Sequence, residues 1–185
     1  MKGLLASSLF STSTSNPKSA KRAISRRSFL GTSLAVGGLV FAMVAQSAMA
    51  QNLARFSGGI GVIPTGSANT TVRGVAAAGQ IWVIRDLAGD VKQDGSIRVD
   101  GRGLLLGAGD SVGGNANASV FATLFCSNDG NVQHNSNLVG VPLEVNGDFR
   151  IDDMLSPVPP NPCTSPVLLI RSASSLGWFA AGIPR

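Results

Sequence analysis

Three residues of the chain have the types and the order that nucleophilic catalysis needs. Ser111 lies in Gly109-Asp110-Ser111-Val112-Gly113, a G-x-S-x-G pentapeptide, and Asp129 and His134 follow in the chain order Ser, Asp, His. Such a serine works from a strained strand-to-helix elbow that exposes its hydroxyl beneath backbone donors, with histidine as its base. Gly114-Asn115-Ala116-Asn117 come next and do not start a helix, and a chain with 23 glycines produces such a pentapeptide by composition alone. The expectation is a solvated loop and no catalytic group. A small serine hydrolase built on Ser111, Asp129 and His134 is the alternative.

Metal chemistry is equally constrained. His134 is the only imidazole, so a zinc or copper site would need Cys and Asp ligands around it. The sequence shows no His/Cys cluster with ligand spacing, and His134 reads as a surface-loop residue. Calcium is the second alternative. Asp148, Asp152 and Asp153 lie close together, and Asn128-Asp129-Gly130-Asn131 offers a run of oxygen donors. Neither spells the twelve-residue calcium loop, and Asp and Asn in turns mostly serve backbone geometry. Gly101-Arg102-Gly103-Leu104-Leu105-Leu106-Gly107 lacks the Gly-Lys-Ser/Thr ending of a phosphate loop and reads as a buried strand closed by glycine turns. No cofactor is implied.

Charge divides the chain in two. Lys2, Lys18, Lys21, Arg22, Arg26 and Arg27 are basic, whereas every acid lies beyond residue 50. From Gln51 onward nine basic residues face ten acidic ones, so the net charge of +5 belongs to the first segment. Nucleic acid is thereby dropped as a partner of the second.

Ser25-Arg26-Arg27-Ser28-Phe29-Leu30-Gly31 resembles the twin-arginine export signature, with Arg26, Arg27, Phe29 and Leu30 as its core. An apolar stretch diluted by Gly31, Gly37 and Gly38 leads to Ala48-Met49-Ala50, a small-x-small cleavage site. The stretch is shorter than the ~20 apolar residues of a spanning helix, so no stable membrane anchor is expected. The reading is a cleaved signal peptide over 1–50 and a single secreted domain over 51–185, periplasmic or extracellular in a bacterium. A translocase and a signal peptidase would be its partners during export. The Ser/Thr-rich, acid-free leader also resembles a plastid transit peptide, a minor alternative.

The elements that must position any site are strands. Short apolar runs alternate with Gly, Asn, Asp, Ser and Pro, and no stretch of the second segment keeps a helical period. The clearest strands are Ile81–Ile84, Ser96–Asp100, Val120–Cys126, Asp148–Asp152, Val167–Arg171 and Trp178–Ala181. Val120–Cys126 and Val167–Ile170 are apolar on both faces, which marks central strands. The fold class expected is all-β, a small antiparallel β-sandwich or barrel with one disulfide, Cys126 to Cys163. Five prolines between Leu155 and Pro166 mark a surface connection.

One seven-residue pattern occurs twice, as Asp94-Gly95-Ser96-Ile97-Arg98-Val99-Asp100 and Asn146-Gly147-Asp148-Phe149-Arg150-Ile151-Asp152. A two-residue turn would set Val91 against Arg98 and Leu143 against Arg150. A three-residue loop with left-handed glycine instead faces Val91 with Ile97 and Asp90 with Arg98, and in the second copy Leu143 with Phe149 and Val141 with Ile151. Both copies therefore predict bulged hairpins, with Glu144 and Asp148 meeting at the second loop.

Trp82-Val83-Ile84-Arg85-Asp86, Ile97-Arg98-Val99-Asp100-Gly101, Val120–Cys126, Pro166–Arg171 and Gly177–Gly182 together resemble a group of uncharacterised bacterial exported proteins, which brings no activity with it. Val120–Cys126 bears a fainter likeness to the chordin-type β domain, whose His-containing motif this sequence lacks, so its function is not carried over. The leading expectation is a secreted, non-enzymatic β-sandwich that binds a protein or glycan partner or serves the cell envelope. The alternatives are the serine hydrolase and a calcium-dependent adhesion or carbohydrate-binding module.

Overall fold

The computed structural model describes residues 50–65 and 70–185, all within one compact unit running from Gln46 to Arg185. Arg26, Arg27, Phe29, Leu30 and Ala48 lie outside the described residues, and Ala50 directly precedes the first strand region. Among the described residues eleven strands form: β1 (Asn52–Gly61), β2 (Trp82–Val83), β3 (Asp86–Lys92), β4 (Ser96–Arg102), β5 (Leu105–Leu106), β6 (Ser119–Phe125), β7 (His134–Asn135), β8 (Val141–Pro142), β9 (Phe149–Met154), β10 (Val167–Ser172) and β11 (Trp178–Pro184). Their only helical company there is 3-10 geometry, chiefly the turn Ser127–Asp129.

The main sheet runs β7-β6-β10-β11-β1-β3-β4-β9, antiparallel throughout, with β8 also paired to β6. It curls until its ends nearly meet. Asn135 of β7 and Ser156, just beyond β9, exchange two backbone hydrogen bonds of 3.0 and 2.8 Å. The result is a nearly closed, barrel-like sheet rather than two sheets packed face to face. β2 and β5 make a separate two-stranded ribbon.

Burial follows the strand period where one face is wet. β3 and β4 alternate strictly, with Leu87, Val91, Ile97 and Val99 inward and essentially inaccessible. β6 and β10 are buried on both faces, as expected for central strands. Residues 70–78 lie against the start of β11 and reach the loop after Cys126. Trp178 donates its indole N–H to Thr70 O, Ala78 N–H to Trp178 O, and Arg73 reaches Ser127 and Asn131. Arg171 of β10 is buried over the Phe121 ring of β6 and donates to Leu176 O, Thr123 Oγ1 and Gln133 Oε1. Burial pulls its guanidinium pKa down from the usual arginine range.

Three expectations need correction. β1 has no counterpart among the expected strands, because Gly58, Gly59 and Gly61 interrupt its pattern; Gly58 is left-handed (φ 89°) at the bulge that shifts its register against β11. The Gly101–Gly107 segment is not one strand, since Gly103 (φ 64°) breaks it between β4 and β5. The second hairpin does not form as a ladder. Its three-residue loop does, with Glu144 N–H donating to Asp148 O and Gly147 left-handed at φ 79°. Beyond that loop, however, Val141 faces Val120 of β6 and Ile151 faces Val99 of β4.

The two copies of the repeat instead pair with each other. β4 and β9 run antiparallel with Arg98 opposite Asp152, Val99 opposite Ile151 and Asp100 opposite Arg150. An R-x-D triplet laid antiparallel on another R-x-D sets each arginine against the other's aspartate, and opposite charges across strands are favourable. Gly101 lies under the ring of its partner Phe149, where an added Cβ would come within 2.1 Å of the ring.

Candidate functional site

The β6–β10 pair ends in two different constellations. At one end Cys126 follows β6 directly and is bonded to Cys163, which precedes β10; the Cα atoms stand 5.0 Å apart. Val167 pairs with Phe125, so strand pairing brings the two cysteines together. The chain then turns through Ser127–Asp129 and closes the turn on left-handed Gly130. Asn128 clasps this turn to the proline-rich connection, donating to Pro162 O (2.8 Å) and accepting from Thr164 N (3.1 Å), on either side of Cys163.

This turn presents Asp129 to His134. The imidazole is buried on β7, opposite Leu124, with Nε2 2.6 Å from Asp129 Oδ2 and Nδ1 2.7 Å from Pro157 O. His134 is 2% exposed and so is not a surface-loop residue. Both ring nitrogens face oxygen acceptors, which requires a proton on each nitrogen or one on the carboxyl. Asp129 Oδ1 is the one buried side-chain nitrogen or oxygen among the described residues without a hydrogen-bond partner. Sulfur of Cys126, a carboxylate oxygen of Asp129 and a ring nitrogen of His134 lie within 4.8 Å of one another.

The structure thus joins Asp129 to His134 and leaves Ser111 out. Ser111 is exposed in the loop between β5 and β6, where its carbonyl accepts from Gly114 N in a tight turn. No helix follows it, and His134 has no ring nitrogen left for its hydroxyl. The acids considered for calcium disperse. Asp148 accepts from Gly103 N and Asn146 Nδ2, and Asp153 from Asn137 N and Met154 N. Asp152 stands opposite Arg98. Among the described residues the cluster of Cys126, Asp129 and His134 is the only group of three or more His, Cys or acidic side chains close enough to share an ion. Sequence spacing pointed away from it, because the disulfide assignment removed Cys126 from consideration.

At the other end β6 begins, β10 ends and β11 begins, and here the surface opens into a cleft of about 640 Å³. Gln80, Asn117, Ser119, Ser172, Ser174 and Ser175 contribute its polar lining, and among the described residues none that lines it is charged. Its floor includes Trp82 and Phe179, whose rings stack at 3.9 Å. Exposed Leu138 and Val139 stand at its edge.

One wall is held in an unusual backbone conformation. Ala116 and Asn117 are both left-handed, at φ 51° and 48°, which costs a non-glycine residue about 1–2 kcal/mol. Asn115 holds them there, donating to Leu143 O and Glu144 O and accepting from Asn117 N. The loop reads as polar and glycine-rich in sequence, but nothing in that pattern marks it as a wall.

Compared with protein-family models, with curated proteins and with solved structures, the chain matches none.

Proposed function

We propose that this is a non-enzymatic binding protein, exported to the periplasm or cell exterior of a bacterium, whose cleft takes an uncharged, hydroxyl-rich ligand of the glycan class. The observation that carries the reading is the cleft's lining of amide and hydroxyl groups without a charged side chain. Acidic or cationic ligands would find no counter-charge there. Sugar hydroxyls would find donors and acceptors, and their C–H faces would find Leu138 and Val139. The volume falls within the usual range for small-ligand sites, ~300–1,000 Å³. Strain held in a binding wall is also a recurrent mark of pre-organised sites.

Export is supported by Arg26-Arg27 with Phe29-Leu30 and by the small-x-small site at Ala48–Ala50. A disulfide suits an oxidising compartment, and no helix among the described residues is long and apolar enough to cross a membrane. The non-catalytic part of the reading rests on the occupied nitrogens of the only histidine.

Calorimetric titration with a panel of neutral oligosaccharides tests the reading. At least one should bind, and Ser119→Ala and Asn117→Ala should each weaken it about tenfold, as loss of one or two hydrogen bonds implies. Binding only of charged ligands, or neutral-sugar binding indifferent to both substitutions, would remove the glycan assignment. Labelling of Ser111 by a fluorophosphonate probe would remove the non-enzymatic one.

A further inference from the structure

We propose that the end of the barrel holding Cys126 and Cys163 is a zinc site in the dithiol form of the protein, with Cys126, Cys163, Asp129 and His134 as its four ligands. Two thiolates, one imidazole and one carboxylate make a donor set that suits tetrahedral zinc. Three of the donors already lie within 4.8 Å of one another, and Cys163 is bonded to one of them.

Three features go beyond proximity. First, Asp129 Oδ1 is buried and makes no hydrogen bond in the disulfide form. Buried polar atoms are rarely left so, and a cation held by the same carboxylate, through Oδ2 with Oδ1 beside it, supplies what the atom lacks. Second, His134 directs Nδ1 at the Pro157 carbonyl. A metal-binding histidine characteristically donates its other N–H to a backbone oxygen, which fixes the ring and leaves Nε2 for the ion. Third, the supporting contacts sit on the chain segments that carry the sulfurs. Asn128 ties the turn after Cys126 to both neighbours of Cys163, and Arg73 holds the same turn through Ser127.

The movements required are small. Bonds of ~2.0–2.1 Å in tetrahedral coordination put a nitrogen and an oxygen ligand roughly 3.3 Å apart. His134 Nε2 and Asp129 Oδ2 now stand at 2.6 Å, so they part by less than an ångström. Zn–S bonds of ~2.3 Å put the two sulfurs about 3.8 Å apart, a separation that side-chain rotation permits with Cα atoms 5.0 Å apart.

The chemistry balances without oxidising the protein. A phosphine reductant, taking oxygen from water to become its oxide, delivers two electrons and two protons to the Cys126–Cys163 bond and yields two thiols. Zinc then displaces a proton from each thiol, and any proton shared by His134 and Asp129 leaves with them. Because every chain is synthesised with free thiols, each passes through the state that can hold the ion. A small-molecule disulfide that takes the two electrons of the thiolates, and with two protons becomes two thiols, re-forms the Cys126–Cys163 bond, removes two of four ligands and releases the zinc ion.

The test compares the full chain before and after phosphine reduction. Reduced protein should retain one equivalent of zinc through gel filtration and bind it at least 100-fold more tightly than oxidised protein. Cobalt in its place should give the visible bands of a tetrahedral ion with thiolate ligands. Asp129→Ala and His134→Gln should each weaken zinc at least tenfold, since even residues supporting a ligand are worth ~10–100-fold. Should reduction by itself melt the domain, zinc is expected to restore its β circular-dichroism signal. Retention of no zinc, equal binding before and after reduction, affinity indifferent to both substitutions, or no such restoration would each overturn the proposal.

Discussion

At one end of β6 and β10 the chain is cross-linked through Cys126 and Cys163, and a buried histidine and a half-buried aspartate lie beside the cross-link. At the other end the same two strands part around a cleft lined with neutral side chains, whose wall includes two left-handed residues. The first end concentrates titratable and sulfur groups. The second holds no charge and admits water. Rigidity comes from a covalent bond in one case and from the three hydrogen bonds of Asn115 in the other. A single pair of central strands therefore supports two sites with nothing chemical in common, so damage to one end should leave the ligands of the other unaffected.

The largest expected effect breaks the cross-linked end. Replacing both cysteines by alanine should cost roughly 3–4 kcal/mol in urea unfolding, the chain-entropy value for a loop of this length, with 37 residues separating the cysteines. Neutral-sugar affinity at 25 °C should stay within twofold; a larger change would show that the two ends are coupled. Next comes His134→Ala. It leaves Pro157 O and Asp129 without their partner, a loss of about 1–3 kcal/mol measurable by thermal melting.

At the cleft, Asn115→Ala should cost about 1–2 kcal/mol and weaken ligand together. Ala116→Gly should separate those two quantities. Glycine adopts the left-handed conformation freely, so stability should rise by roughly 0.5–1 kcal/mol, while the loosened wall binds ligand less well. A variant that binds more tightly would show that the strain does not serve the site.

The smallest effect belongs to Asp94, at the exposed loop before β4. Hydrogen bonds from the Ser96 amide and hydroxyl hold its carboxyl below the usual carboxylate range. A lowered folded-state pKa means a contribution present above the unfolded value of ~3.9 and lost as pH falls through the folded one. Asp94→Ala should thus lower the melting temperature slightly at pH 7, and by less as pH falls through the folded-state value. Asn146 holds the matching place in the second loop and accepts from Asp148 N without a charge of its own.

Those two loops also mark how far the sequence could be read. For the first, matching apolar with apolar and Asp90 with Arg98 was enough to set the register of β3 and β4. For the second, the same logic found the loop but not the strand partners. A turn fixes only the residues beside it, and beyond this loop β8 leaves β9 to pair with β6 while β9 pairs with β4. The central strands and the disulfide were legible because uninterrupted apolar runs and paired cysteines admit few alternatives. His134 was not, because Asn131, Gln133, Asn135 and Asn137 around it spell a wet loop. A buried imidazole becomes tolerable only with partners at both nitrogens, and one of them, Pro157 O, lies 23 residues away.

The position of β1 sets the order in which the barrel can be completed. It lies between β3, which follows it closely in the chain, and β11, whose Pro184 faces Phe56 across the ladder. Pairings between such remote segments carry a large loop-closure cost and slow folding. One edge of β1 must therefore wait, unpaired, until β11 has been synthesised. A growing chain can finish the β3–β4 hairpin early, but the barrel-like sheet must await β11, and truncation before Trp178 should leave β1 an open edge ready to recruit a strand from another molecule.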